Sequence, residues 1–453
     1  MPSTRTPNLA ETVRKLIARG ATVNAYNILQ RLHPSDIAGV LAELPESLRK
    51  QAFEVLRQRN LALASEALSE FGPARGAGLL SSLSLQEISR ILQELDPDDA
   101  ADFVSKLPDE LQEEILGAMR EKEASEVEDL LQYPEQTAGR IMSPKVFSLQ
   151  EDTTVEEAIR SLQEAGDLEM VFYIYVLDEH GNLVGVLSLR QLLLKRPNVQ
   201  LKDIMVPDVI RVTTDTDQEE VSQLVARYNI LAVPVVDSQN KLVGVITVDD
   251  VIDVIKEEAT EDMYRMAGLD VGERVFSKPQ RSMRMRVPWL VFNLGTAFLT
   301  AFVVSMFENT IGQFAVLAVF MPVVPLLGGN AGNQTLTVMV RGIALGELNW
   351  SNSRRALVKE VLVGVVNGLV IGTLVGLVAY LWKGSPALGI VLSIAMVGTL
   401  LVAAVMGTLV PLALRWIKVD PALASSVFVT TATDVAGFLL FLGLGSVMLS
   451  RFS

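Results

Sequence analysis

The sequence predicts a multidomain membrane protein: an all-α solenoid, an α/β region built on an internal repeat, a connecting helix and a bundle of five membrane-spanning helices. Three observations predict it. Charge is divided unevenly along the chain, five long apolar segments crowd into its last part, and residues 137–256 repeat their own pattern.

Of the 53 acidic and 39 basic residues, only five acids and ten Lys or Arg fall from Arg284 onward, which leaves 48 acids and 29 bases upstream. The upstream part therefore carries −19 and the remainder +5, within an overall charge of −14. An acidic part of this size repels phosphate, which argues against nucleic acid as a partner. The absence of cysteine excludes disulfides and thiolate metal sites. His33 and His180 are the only imidazoles, too few for a zinc or copper site. The first apolar stretches are short and broken by charge, so no signal peptide is expected and membrane insertion falls to the C-terminal segments.

A spanning helix needs about 20 mostly apolar residues. Residues 287–307, 314–340, 357–382, 388–414 and 423–449 qualify. Lys278, Arg281, Arg284 and Arg286 precede the first segment, and the first connection has no Lys or Arg. Arg341, Arg354, Arg355 and Lys359 fill the second connection, Lys383 stands alone in the third, and Arg415 and Lys418 lie in the fourth. This alternation predicts a multi-pass cell-membrane protein with its N-terminal half in the cytoplasm and its C-terminus outside.

Three segments carry more than hydrophobicity. The third places Gly364, Gly368, Gly372 and Gly376 on one helical face, which reads as close helix packing. The second contains Pro322, Pro325 and the run Gly328-Gly329-Asn330-Ala331-Gly332-Asn333-Gln334. Such a segment is expected to break, and irregular backbone is tolerated only inside protein or along a wet cavity. There Asn330 and Asn333 would add side-chain oxygens to freed carbonyls. The fifth reads Thr430-Thr431-Ala432-Thr433-Asp434, and Asp434 is the one acid expected in the interior of a spanning segment. An ionised carboxylate at mid-bilayer costs about 2.5–3.5 kcal/mol and usually marks an ion path. Asp434, with Asn330, Asn333, Thr430 and Thr431 as pore-lining neighbours, is the first candidate site.

The internal repeat runs from Ile141-Met142-Ser143-Pro144 to Leu183-Val184-Gly185-Val186, and again from Ile204-Met205-Val206-Pro207 to Leu242-Val243-Gly244-Val245. Strand-like runs alternate with helical ones in both copies. This resembles a tandem cystathionine-β-synthase (CBS) pair, a regulatory α/β module. Many such pairs bind an adenine nucleotide. By that resemblance Tyr173, Arg190, Thr247 and Asp250 would contact it, although Gln191 stands where the first copy usually carries an acid. ATP as a modulator stays open.

Residues 1–136 are helical and mildly repetitive. Leu32-His33-Pro34 precedes Leu44-Pro45, Leu95-Asp96-Pro97 precedes Leu107-Pro108, and Phe71-Gly72-Pro73 precedes Leu83-Ser84 as a weaker copy. Ser, Asp and Pro at these points cap short helices, and stacked short helices form a curved solenoid. Beyond the repeat, the run from Asp249 to Asp262 sets Asp250, Asp253 and Glu257 on one helical face and Glu258, Glu261 and Asp262 on another. Like charges at that spacing destabilise a helix, so a screening partner is implied. Asp98, Asp99 and Asp102, and Asp215, Asp217 and Glu219, add acids elsewhere. Sets of oxygen ligands suit Mg²⁺ or Ca²⁺.

Taken together, the chain resembles the MgtE family of magnesium channels. The order of parts matches, as do the Gly328–Gln334 run, Thr431-Ala432-Thr433-Asp434-Val435-Ala436-Gly437 and the acidic stretches. The resemblance implies an acidic N-domain at 1–136, a CBS pair at 137–252, a connecting plug helix at 253–283 and a transmembrane domain at 284–453. It implies a homodimer in the lipid bilayer that takes up Mg²⁺, with Asp434 at the pore and no enzymatic activity. Regulatory Mg²⁺ would be held by Glu66, Asp98, Asp217, Glu219, Asp250, Asp253, Glu258, Glu261 and Asp262. Asn229 and Lys256 stand where related chains carry acids. Another divalent cation such as Mn²⁺ or Co²⁺ is the alternative cargo. A membrane enzyme is disfavoured because the apolar part lacks both His and Cys, and five segments without visible inverted symmetry argue against an alternating-access carrier.

Overall fold

The computed structural model describes residues 6–452 except 82, 166–170, 274, 276 and 424. It divides into two compact units, Met1–Val254 and Ile255–Ser453.

The first unit begins with short helices: α1 (Thr6–Ala18), α2 (Thr22–Leu29), α3 (Pro34–Glu43), α4 (Glu46–Arg59), α5 (Leu61–Phe71), α6 (Pro73–Leu80), α7 (Leu85–Leu92), α8 (Pro97–Ser105), α9 (Asp109–Ala118) and α10 (Glu121–Leu131). Proline opens α3, α6 and α8, where its missing N–H is not needed. The caps are more varied than expected. His33 Nδ1 accepts from the Ser35 N–H, Ser84 and Glu87 form a capping box on α7, and Asp96 makes no side-chain cap bond at all. The true repeat is twenty-four residues, the interval separating the starts of α5, α7 and α9 and of α6, α8 and α10. Its signature is a buried hydroxyl bridging successive layers: Ser65 Oγ donates to Ile91 O and Ser89 Oγ to Ile115 O, both at 3.1 Å. A continuous core from Val13 through Phe53, Phe71 and Phe103 to Leu130 runs beneath them.

The paired module follows with α11 (Ala138–Ile141), β1 (Ser148–Gln150), α12 (Val155–Glu164), β2 (Tyr173–Leu177), β3 (Leu183–Ser188), α13 (Leu189–Leu193), β4 (Val212–Thr213), α14 (Gln218–Tyr228), β5 (Ala232–Val236) and β6 (Leu242–Thr247). Each copy is a three-stranded sheet whose middle strand is parallel to the first and antiparallel to the third. The copies exchange backbone. Ser143, ahead of the first copy, pairs with Val245 of β6, and Val206, ahead of the second, pairs with Val186 of β3. This explains the repeated motif. The methionine of Ile-Met-x-Pro lies over the glycine of Leu-Val-Gly-Val in the opposite copy, Met142 on Gly244 and Met205 on Gly185, where a Cβ would collide with the thioether.

Helix α15 (Val248–Met266) continues without interruption from the first unit into the second. The second unit then comprises α16 (Pro279–Ser305), α17 (Glu308–Gln313), α18 (Val316–Phe320), α19 (Val323–Ala344), α20 (Ser353–Lys383), α21 (Pro386–Trp416) and α22 (Ser425–Phe452). Among the described residues, five stretches are long and apolar enough to cross a membrane: Pro279–Ser305, Val316–Ala344, Ser353–Lys383, Pro386–Trp416 and Ser426–Leu449. Helix α21 is the central post, buried along Leu388, Leu392, Met396, Leu400 and Ala404 against α19, α20 and α22. Helix α16 turns Leu290, Phe298 and Phe302 outward.

The glycine face of α20 is a packing face, as its spacing predicts. Gly368 meets Val397 of α21, and Ser393 Oγ donates to Gly372 O at 2.9 Å. The expected break in the second segment is smaller than its sequence suggests. It is confined to Met321 and Pro322, and α19 stays helical through Gly328–Gln334. Pro325 falls in the first turn, where no intrahelical N–H is lost. Gly328, Gly329 and Gly332 are held by contacts with Thr399, Thr430, Thr433 and Val429, so neighbouring helices stabilise what an isolated helix would not. Freed backbone carbonyls are therefore not what this segment offers. We expect Gly376→Val, which sets a side chain against Gly389 O at 2.6 Å from the new Cβ, to force α20 and α21 apart. Thermal unfolding of the detergent-solubilised chain should show a loss of about 1–3 kcal/mol.

Candidate functional site

Two groups of polar side chains stand out, one in each unit. In the second unit, Ser426, Thr430 and Asp434 recur at four-residue intervals and so share one face of α22. That stripe meets α19 at its lower end, where Ser426 Oγ lies 3.1 Å from Asn333 Oδ1. Thr430 and Thr433 close their hydroxyls on the α22 backbone, which removes these donors from competition. Asp434 is half-exposed, and among the described residues no donor or cation reaches its carboxylate. Thr431 is partly exposed on the same side of the helix, and Asn330 is exposed on α19 one turn before Asn333. The predicted residues Asn333, Thr430 and Asp434 are thus brought together on two packed helices.

One expectation needs amending. Asp434 is not the only acid inside a spanning segment, because Glu360 of α20 is 4% exposed. Thr335 Oγ1 of α19 donates to Glu360 Oε2 at 3.1 Å, and the Lys359 ammonium closes on Oε1. Glu360 lies near the start of the predicted segment 357–382, beside Lys359 and the basic run that flanks it.

The end of α15 lies beside this assembly. Met266 packs with Leu336, Val340, Ala422 and Val429. Arg265 is paired with both Glu261 and Asp420, the latter in the connection between α21 and α22. Burial and the neighbouring Asp420 push the Asp262 carboxyl up to about 6. Sequence reasoning marked Glu261 and Asp262 but missed Arg265 and Asp420, which lie 155 positions apart.

In the first unit a cavity of about 150 Å³ is lined by Asp96, Asp98, Asp99, Asp249 and Asp250 together with Lys145, Thr247, Tyr173 and the apolar Phe172, Ala232 and Val245. Asp98 Oδ1 is buried with no hydrogen-bond partner. Burial, with Asp250 next in effect, holds the Asp98 carboxyl well above the usual carboxylate range. Burial likewise raises Asp99 to about 6 and, with Asp249 adding to it, Asp250 to about 7. Lys145 Nζ is 2.8 Å from Asp96 Oδ1, a basic neighbour with no sequence signal. The single Thr247 hydroxyl lies within hydrogen-bond reach of both the Asp249 and, at 2.8 Å, the Asp250 carboxylate.

Predicted regulatory residues are only partly gathered here. Asp98 and Asp250 share the cavity. Glu66 is exposed on α5, and Asp217 is the N-cap of α14, its Oδ1 accepting from the Glu219 N–H at 2.8 Å. Glu219 Oε1 accepts from Gln223, while Asp253 is exposed and Glu258 partly exposed on α15. Among the described residues no three acids approach closely enough to chelate a bare ion. The donor set is all oxygen and one buried acceptor is orphaned, which fits a hard cation held through its water shell. A nucleotide fits less completely. Tyr173, Phe172 and Asp250 suit a base and ribose, but the phosphates would face several carboxylates, and the cavity is smaller than the 300–1,000 Å³ of typical ligand pockets, about half or less. Arg190 is exposed on α13 and does not line it.

Membrane-length helices with an unpaired carboxylate on an interior stripe, attached to a paired regulatory module, define a multi-pass membrane transport protein rather than an enzyme. A family described as MgtE, divalent cation transporter, matches residues 321–444, the MgtE intracellular N domain matches 32–136, and the CBS domain matches 138–197 and 201–257. The chain is 37% identical to the magnesium transporter MgtE of Thermus thermophilus, covering 97% of this chain and 98% of that one. It is 32% identical to that of Bacillus subtilis, covering 96% of each. A crystal structure of the cytosolic domain of the Mg²⁺ channel MgtE in complex with ATP is 38% identical with a TM-score of 0.50, and covers 54% of this chain and 99% of that one. The chain belongs to the MgtE family of magnesium transporters.

The raised carboxyls have a thermodynamic consequence. A carboxyl whose folded-state pKa exceeds its unfolded value stabilises the fold below the unfolded value and loses that contribution as pH rises through the folded one. With Asp99 at about 6 and Asp250 at about 7, the loss spans the range from the ordinary carboxylate value of about 3.9 up to about 7. In chelator, the unfolding midpoint of the full-length chain should fall as pH is raised through this window. Millimolar Mg²⁺ should restore more at the alkaline end than at the acidic end, and Asp250→Asn should flatten both trends in a fluorimetric melt.

Proposed function

We propose that this chain conducts Mg²⁺ across the cell membrane along the α19–α22 stripe and that cytosolic Mg²⁺ restrains it through the acidic cavity and α15. The observation that carries the reading is Asp434, a carboxylate within a spanning helix to which no described residue donates. Mg²⁺ dehydrates reluctantly, so carboxylate and amide oxygens would hold the hydrated ion through its waters, loosely enough to release it. A homodimer with Asp434 from both protomers on a shared axis would double the charge at that point. The outward apolar face of α16 is compatible with lipid or a second copy around it. The basic flanks support a cytoplasmic N-terminal half and an outer C-terminus.

For the regulatory part, the parts 1–136, 137–252 and 253–283 act as sensor and link. Asp98 and Asp250 hold the ion's water shell within the cavity, and Glu258, Glu261 and Asp262 lie along the helix that leads to Asp420 and Arg265. A bound divalent ion supplies screening charge. Without it the buried acids repel one another, and only a ligand that prefers one arrangement can shift the balance. The ATP complex belongs to a related protein. For this chain, a nucleotide at Tyr173 and Thr247 is a modulator whose phosphates would need a cation beside them.

Asp434→Ala should lower Mg²⁺-dependent growth rescue of a transport-deficient bacterium by about tenfold or more, as loss of a mid-membrane ion site demands. Full rescue by the variant removes Asp434 from the path. Cleavage of the full-length protein by limited proteolysis within residues 248–278 should slow as Mg²⁺ rises through the millimolar range, and Asp98→Asn should blunt that protection. A cleavage rate indifferent to Mg²⁺ would sink the sensor.

A further inference from the structure

Glu360 is the buried acid that the ion-path reading does not use. It sits in α20, outside the stripe formed by α19 and α22, and its charge is met from one side by Lys359 and from the other by the hydroxyl of Thr335. Thr335 is itself only 8% exposed. Beside the pair lies a cavity of about 210 Å³ in which Gln334, Thr335, Lys359, Glu360 and Asn367 stand among apolar side chains. A carboxylate taken out of water needs partners of this kind to persist, so its presence points to a specific task.

The packing of α19 suggests that task. Its glycines meet smooth surfaces: Gly328 faces Thr399, Gly332 faces Val429, and Gly407 of α21 rides on Gly332 O and the Thr335 side chain. Contacts between small residues bring backbones close but leave rotation poorly fixed. Directional bonds fix it. One runs from Ser426 to Asn333, and the other from Thr335 to Glu360, two residues further along α19. Asn333 belongs to the ion stripe, so its bond to Ser426 is the one that must yield when its oxygen turns to a hydrated ion. The Thr335–Glu360 bond then still holds the helix.

We propose that Glu360 is a positioning residue for transport: acting through Thr335, it fixes the rotation of α19 and thereby presents Asn333 and Asn330 to the ion. The inference rests on the reading of α19 and α22 as the ion path. It differs from a ligand role for Glu360, in which the charge would act directly.

The cysteine-free chain permits a test that does not depend on transport. Asn333→Cys is introduced as the sole thiol, and its reaction rate with a cationic thiol reagent is measured in membrane vesicles. Adding Glu360→Ala or Thr335→Val should change that rate by about fivefold, the size expected for one hydrogen bond. Glu360→Gln and Thr335→Ser, which keep an acceptor and a hydroxyl, should stay near the parent rate. The double variant Glu360→Ala/Thr335→Val should match the larger single effect, because both remove the same bond. In otherwise unaltered protein, Glu360→Ala should raise the half-saturating Mg²⁺ concentration for uptake, and Glu360→Gln should rescue it. Parent-like reactivity in Glu360→Ala overturns the proposal, and so does Glu360→Gln behaving like the alanine variant. If Glu360→Ala does not reach the membrane, Thr335→Val decides alone. Undiminished uptake by Asp434→Ala would refute the ion path instead, and the reagent rates would still decide the anchor.

Discussion

A carboxylate that folding takes out of water must be answered by a proton, a cation or a donor, and this protein answers its acids in all three ways. Glu360 has a hydroxyl and an ammonium. Glu261 and Asp420 have a shared guanidinium. Burial raises the carboxyls of Asp98, Asp99 and Asp250 toward the protonated form, Asp99 and Asp250 each have a hydroxyl beside them, and Asp98 keeps an orphaned oxygen. Asp434 has no protein answer among the described residues. The acids thus grade from those with protein partners, Glu360, Glu261 and Asp420, to Asp434, which has none among the described residues.

That division also organises the scaffold. Where helices must touch, the chain uses glycine and small hydroxyl residues. Gly364, Gly368, Gly372 and Gly376 bring α20 against α21, while Gly328 and Gly332 bring α19 against α21 and α22. Such interfaces hold through area rather than direction. The few directional bonds across them therefore carry disproportionate weight in deciding which side of each helix faces inward. The paired module shows the same economy, since Met142 and Met205 each occupy the space that a glycine in the opposite copy leaves open.

Much of this was legible in the sequence, because it is written in short-range patterns. Five apolar runs, the doubled Ile-Met-x-Pro and Leu-Val-Gly-Val motifs and the glycine ladder each report on contacts that local periodicity controls. Asp434 drew notice because an acid in an apolar run has few explanations. The failures share a cause as well. The Pro and Gly of residues 322–332 read as a broken helix because sequence cannot show the neighbours that hold it together. Lys145 facing Asp96, Arg265 facing Asp420 and Glu360 facing Thr335 depend on positions far apart in the chain. The twenty-four-residue period of the solenoid was masked because its helix starts differ from layer to layer: Gly72 and Asp96 make no side-chain cap bond, whereas Ser84 forms a capping box with Glu87.

Helix α15 carries acids along most of its length, with Asp249 and Asp250 in its first turn and Arg265 in its last. Its nineteen residues contain neither proline nor glycine, so it is a stiff rod about 28 Å long. A helix without a break has no hinge at which its like-charged side chains could part. Relief of their repulsion therefore falls to protons, counter-ions or neighbouring basic groups.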